Sequence, residues 1–269
     1  MFARFDHVAT FSHDYTQNAK FYEALFGLKV LPHTRARGAI LLSDGSMGYN
    51  HVAVRTGFPS GLNHFGIQVE DVELAIARIH ELDATMDVQD RPPIRDIIAY
   101  SAHDPDGNIF DLAQRDEAHD QLRSKDDLAW ESDRRVSHYA IRSRNAERLA
   151  NFFQHVFELS PVSSGADDPN FYATDGTLTL TFIPWSIKDY GAQDALRPAP
   201  DHLGIRVESI DQLKKDLDEL VGRNPHLRPW PIGGATEGNA RLELFKKASP
   251  YASYHMTDAE GVHLAIWEE

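Results

Sequence analysis

Apolar residues recur along this chain in two rhythms, every second residue over short runs and every third or fourth over longer ones. The clearest case is Gly-Leu-Asn-His-Phe-Gly-Ile-Gln-Val at 61–69, an alternating run that leads into a helical pattern over 72–82. There Val72, Ala75, Ile76 and Ile79 share one face. His64 stands in the strand where an inward apolar residue is expected. The same order, a strand carrying one histidine and then an amphipathic helix, begins again at His7, His138 and His202.

In the first unit the pattern predicts a strand over 5–12, a helix over 18–26 stopped by Gly27, and strands over 28–31, 38–42 and 49–56. The second unit adds the His64 strand, the helix and strands over 96–102 and 108–113. A turn at Asp104-Pro105-Asp106-Gly107 separates those last two strands. Residues 119–133 are polar and unpatterned, as in a linker. The third unit reads as a strand over 136–142, a helix over 146–157 and strands over 171–173 and 178–184, with Asp175-Gly176 between them. The fourth reads as a strand over 202–207, a helix over 210–220 and strands over 241–245, 252–256 and 262–267. Each unit has a sheet with one apolar face that it cannot bury alone. Paired two by two, the four units give an α+β protein of two half-barrel cups, one from 1–118 and one from 134–269.

Composition narrows the chemistry. A chain of 269 residues, 42% hydrophobic, is long enough for two cores. With no cysteine and fourteen histidines, any metal must be held by imidazole and oxygen. The net charge of -14 disfavours nucleic acid and anionic membranes as partners. No apolar run approaches the roughly 20 residues of a membrane span, and the first six residues lack a signal-peptide layout. The expectation is a cytoplasmic protein.

The histidine that opens a strand before a helix, the Gly-Leu-Asn-His-Phe-Gly run at a module junction and Asp-Pro-Asp-Gly-Asn before a closing strand resemble the vicinal oxygen chelate superfamily. Its fold is the paired βαβββ module. Its members include glyoxalase I, extradiol dioxygenases, epimerases, fosfomycin-resistance enzymes and bleomycin-binding proteins. The resemblance implies a divalent metal in the first cup, held by His7, His64 and Asp111. Asp111 stands where the family usually has glutamate and is one methylene shorter, so either the backbone sits closer or His51 ligates instead. His51 is matched to the remaining inward position, as ligand or as acid/base. Tyr100 is a candidate for handling protons and binding substrate, with Phe65 and His103 as further substrate contacts. The second cup has His138 and His202 but Ala265 in the place of Asp111, with Thr181 or Phe182 near the place of His51, and reads as a degenerate copy.

Two histidines and one carboxylate leave coordination positions open, as in non-haem Fe(II) oxygenases. The resulting expectation is an extradiol-type dioxygenase that uses Fe(II), with Mn(II), Zn(II), Ni(II) or Co(II) as alternatives, on a catechol-like diol with dioxygen. The other readings are a glyoxalase-like lyase, isomerase or epimerase acting on a carbonyl substrate, and a non-catalytic binding protein. Spare sheet edges permit a homodimer.

Overall fold

The computed structural model describes residues 2–31, 38–91, 98–115, 132–186, 188 and 197–268. Most of the expected linker therefore lies outside the described residues, as does the start of the strand expected at 96. Among the described residues no helix is long and apolar enough to cross a membrane.

The first sheet is built from β1 (Ala3–Ser12), β2 (Lys29–Val30), β3 (Ala39–Ser43), β4 (Gly48–Ala53), β5 (Gly61–Val69), β6 (Val88–Asp90), β7 (Tyr100–His103) and β8 (Ile109–Gln114). In space the order is β2-β3-β4-β1-β5-β8-β7-β6. Two modules thus meet where β1 and β5 pair antiparallel, and each of these has a parallel outer neighbour, β4 beside β1 and β8 beside β5. The second sheet repeats the plan with β9 (Arg135–Ser143), β10 (Ser160–Pro161), β11 (Phe171–Thr174), β12 (Thr179–Pro184), β13 (Ala199–Val207), β14 (Tyr254–Thr257) and β15 (His263–Glu268). Its order is β10-β11-β12-β9-β13-β15-β14.

Each module's first helix starts on a side chain suited to capping an exposed N–H. Asp14 accepts from Gln17 N ahead of α1 (Tyr15–Phe26), and Asp71 from Leu74 N ahead of α2 (Val72–Leu82). Asn145 and Ser209 do the same for α3 (Ala146–Phe157) and α4 (Ile210–Arg223). Gly27 ends α1 at φ 71°, a left-handed conformation that glycine adopts without strain.

A fifth helix, α5 (Thr236–Ala248), takes the place of the strand expected at 241–245. Arg-Leu-Glu-Leu-Phe alternates over five residues, too short a stretch to separate strand from helix. Its neighbours Glu237, Ala240, Lys246 and Lys247 are helix formers that extend it. The two-residue strands β2 and β10 and the short β6 lie at sheet edges, where pattern is weakest.

The helical sides of the two sheets are packed against each other. Helix α2 touches α3, and α1 touches α4. Phe65 and Phe110 of the first sheet meet Phe153 of α3, with ring centroids 5.7 and 5.8 Å apart, and Tyr139 of β9 closes on Phe65 at 5.3 Å. Two reciprocal clamps reinforce this seam. Asp44 Oδ2 accepts from Val136 N at 2.8 Å, and Asp175 Oδ2 accepts from Phe5 N at 2.7 Å. Each Asp-Gly turn of one half therefore caps the first strand of the other. The cups open on the sheet faces away from this seam.

Candidate metal centre

Register decides which side chains enter the first cup. His7 pairs with Gly66 and Ala9 with His64 across β1 and β5, while Gly66 pairs with Asp111 on β8. Paired residues on neighbouring strands project to the same side, so His7, His64 and Asp111 share one face although they lie far apart in sequence. Asp111 Oδ2 is 3.3 Å from His64 Nε2 and 3.7 Å from His7 Nε2. One ligand atom from each of the three residues lies within 4.8 Å of the other two. Bonds of about 2.0–2.2 Å to a common cation set ligand edges of roughly 3–3.5 Å, so the donor set fits a divalent ion. Asp111 reaches both imidazoles despite its short side chain.

Each donor is held from behind. Asp6 Oδ1 lies 2.9 Å from His7 Nδ1, and Asn63 Oδ1 lies 2.8 Å from His64 Nδ1. Both contacts direct the Nε2 atoms into the cup, the arrangement that fixes metal-ligating histidines elsewhere. Ser101 Oγ donates to Asp111 Oδ1 and accepts from Arg91 Nε at 2.7 Å, which leaves Asp111 Oδ2 for the cup. Gly66 makes room, since a Cβ there would fall 2.3 Å from the His7 ring. Burial alone would lower the His7 pKa, but Asp6 and Asp111 outweigh it and push it up to about 10. Burial would likewise raise Asp111, yet His64 and His7 hold it well below the usual carboxylate range. The pocket thus favours positive charge, whether proton or metal.

Three residues expected at the site lie elsewhere. His51 pairs with Thr10, one step out of phase with the cup, and its ring packs 4.2 Å from Tyr49 and 5.0 Å from Tyr22 on the helical side. Burial there lowers its pKa to about 3. The inward position of β4 belongs to Asn50, which pairs with Ala9. Tyr100 pairs with Leu112 and packs against the core, so Ser101 is the cup residue of that strand. Phe65 belongs to the aromatic seam described above and contributes nothing to the cup wall. His103, two residues beyond Ser101 on β7, shares its face and is exposed. The aromatic wall comes instead from Phe11, which clusters with Ala39 and Val52 and meets Phe58 at 5.5 Å. Its signal was the alternation His7, Ala9, Phe11 along β1.

In the second cup His138 pairs with Gly204, and Gly204 with Ala265. A Cβ at Gly204 would fall 1.9 Å from the His138 ring. His202 Nε2 is 3.1 Å from His138 Nε2, and its Nδ1 is held by Asp201 Oδ1 at 2.6 Å. His263, on β15, and His255, opposite Ala265 on β14, contact each other at 3.2 Å. Burial lowers the pKa of His138 and His263 well below the ordinary imidazole value and that of His255 to about 4. A cavity of about 1060 Å³ opens on Asp201 and His263, and also on Asn63 beside His64.

Residues 7–113 match the family described as a glyoxalase-like domain. No curated protein matches the chain in sequence. Among solved structures, a halotolerant catechol dioxygenase is 11% identical, with a TM-score of 0.61 over 100% of this chain and 87% of that one. A Mn(II)-bound glyoxalase from Novosphingobium aromaticivorans is 14% identical, with a TM-score of 0.58 over 98% and 81%. A fusion of a xylose isomerase-like TIM barrel with 4-hydroxyphenylpyruvate dioxygenase is 14% identical, with a TM-score of 0.62; 99% of this chain spans 48% of that protein. At these identities the likeness is one of fold.

Proposed function

This chain has the fold of the vicinal oxygen chelate superfamily, and on that premise we propose that it is a metal-dependent enzyme of the extradiol dioxygenase type, with its reaction centre in the N-terminal cup. The observation that carries the reading is the convergence of His7, His64 and Asp111 with Asn50, a neutral amide, at the fourth inward position. Three strong donors leave adjacent positions for two reactants, whereas a fourth anionic or imidazole donor would take one of them. His7, His64 and Asp111 would hold Fe(II), which supplies Lewis acidity and a common meeting point for a catechol-like diol and dioxygen.

The protein's own part is positioning and exclusion of water. Asp6, Asn63 and Ser101 lock the three donors. Phe11 and Phe58 give an aromatic ring an apolar wall to lie against. With His51 and Tyr100 turned to the core, His103, on the same face of its strand as Ser101, is the candidate among the described residues for carrying a substrate proton.

Anaerobic loading with Fe(II), followed by dioxygen uptake on a panel of catechols, tests the proposal. Stoichiometric uptake with formation of a yellow ring-opened product is expected, and Asp111→Ala should abolish it. A loaded protein that consumes no dioxygen with any catechol, yet turns over a hemithioacetal, would move the chain to the glyoxalase-like reading.

A further inference from the structure

The cavity of about 1060 Å³ runs along one end of the molecule, where the starts of β5, β8, β13 and β15 meet the end of β9. Among the described residues its lining includes four arginines, Arg142, Arg144, Arg197 and Arg241, and no lysine. That is an unusual collection in a chain whose 41 acids outnumber its 27 Lys and Arg. We propose that this groove binds an organic anion, an apolar molecule bearing a carboxylate or a phosphate, and that the arginines recognise its charge.

Strand register brings three of the four together. Arg142 on β9 pairs antiparallel with Ala199 on β13. Arg144 follows Arg142 by two residues and Arg197 precedes Ala199 by two, so the same count sets them opposite each other just past the end of the ladder. Arg241 comes from α5, whose Leu244 and Phe245 line the same groove. Arg142 is engaged, with Asp201 at 3.3 Å and Pro200 O at 3.4 Å. Arg144, which lies over the Trp185 ring at 5.8 Å, Arg197 and Arg241 are exposed and make no ion pair among the described residues. Repulsion between such groups is relieved when an anion settles among them.

The acids on the lining do not fill that role. Asp201 is held by Arg142 and His202, and Glu260 accepts from His13 N and Asp14 N. Asp106 belongs to the turn before β8, on the N-terminal half, and its buried Oδ2 has no hydrogen-bond partner among the described residues. It can accept from a hydroxyl on the bound molecule. A guanidinium presents two parallel N–H bonds to a carboxylate or phosphate, a match that lysine does not offer. Phe58, Leu62, Leu244 and Phe245 give the ligand's body an apolar wall. His7, His64 and Asp111 are not on the lining, so binding here needs no ion at the N-terminal centre.

Isothermal titration of chelator-treated full-length protein at low salt tests the site with phenyl phosphate, phthalate and neutral phenol. At least one of the two anions is expected to bind, one per chain, at least tenfold more tightly than phenol and less tightly as salt rises. The tighter of the two names the anionic group. Combining Arg144→Gln with Arg197→Gln should weaken that binding at least tenfold, and Arg241→Gln several-fold, with far-ultraviolet dichroism unchanged. Arg223→Gln, at an exposed position of α4 outside the groove, should leave it unaltered. Anions that bind no more tightly than phenol, or binding indifferent to the groove arginines, would overturn the assignment whatever the outcome of Fe(II) loading.

Discussion

The histidine on the first strand of each of the four modules, His7, His64, His138 and His202, is preceded by a polar residue: Asp6, Asn63, Ser137 and Asp201. In every case that residue contacts Nδ1 of the histidine it precedes, at 2.9, 2.8, 3.4 and 2.6 Å respectively. Neighbours on a strand face opposite sides, but a β-strand edge leaves a short polar side chain able to reach the adjacent ring. The dipeptide was visible in the sequence, and its meaning was not. Gly66 is the other half of the device. Gly66→Ala should displace His7 and lower bound metal at least tenfold, which elemental analysis of Fe(II)-loaded protein will measure. His51 shows the opposite case, a buried neutral imidazole with no hydrogen-bond partner on either nitrogen among the described residues. Its pKa falls from 6.5 to about 3 on folding, so the unfolded chain binds a proton over that interval and the folded one does not. Stability from this group is complete above pH 6.5 and is lost as pH falls toward 3. The loss is on the order of 5 kcal/mol, at 1.36 kcal/mol per pH unit. His51→Phe should therefore flatten the acid limb of denaturant-melt stability between those pH values.

At the level of strands, a single step of register separates the expected site from the observed one. His51 and Asn50 are neighbours, as are Tyr100 and Ser101, and in both pairs the less chemically prominent residue faces the cup. Periodicity predicted that strands lie there but not which parity faces inward, because period two is unchanged by a one-residue shift. Ser101 is the consequential case, since it holds Asp111 and is itself held by Arg91. Ser101→Ala should lower metal affinity 10- to 100-fold, in line with the loss of a ligand-orienting partner. Isothermal titration with Mn(II) will show it, and Ser101→Thr should restore most of the affinity. Helix α5 teaches the same lesson about short alternating runs, and by replacing a strand it brings Phe245 onto His263.

Taken whole, the molecule is held by an aromatic seam and two reciprocal aspartate clamps, so the halves are expected to unfold together. Phe153 touches Phe65, Phe110, Phe157 and Phe182. Phe153→Ala should cost about 3–5 kcal/mol and shift one shared thermal transition; two separate transitions in calorimetry would show that the halves melt independently. The sequence by itself determined the fourfold strand-and-helix repeat, because periodicity acts between near neighbours, and the family resemblance it carries pointed to His7, His64 and Asp111. Only the tertiary structure decided that Asp44 and Asp175 clamp opposite halves, that Phe65 joins the seam, and that His255 and His263 gather beside His138 and His202. Those outcomes depend on strand pairings and packing between residues distant in the chain, and a local pattern carries no record of which distant strand will lie beside it.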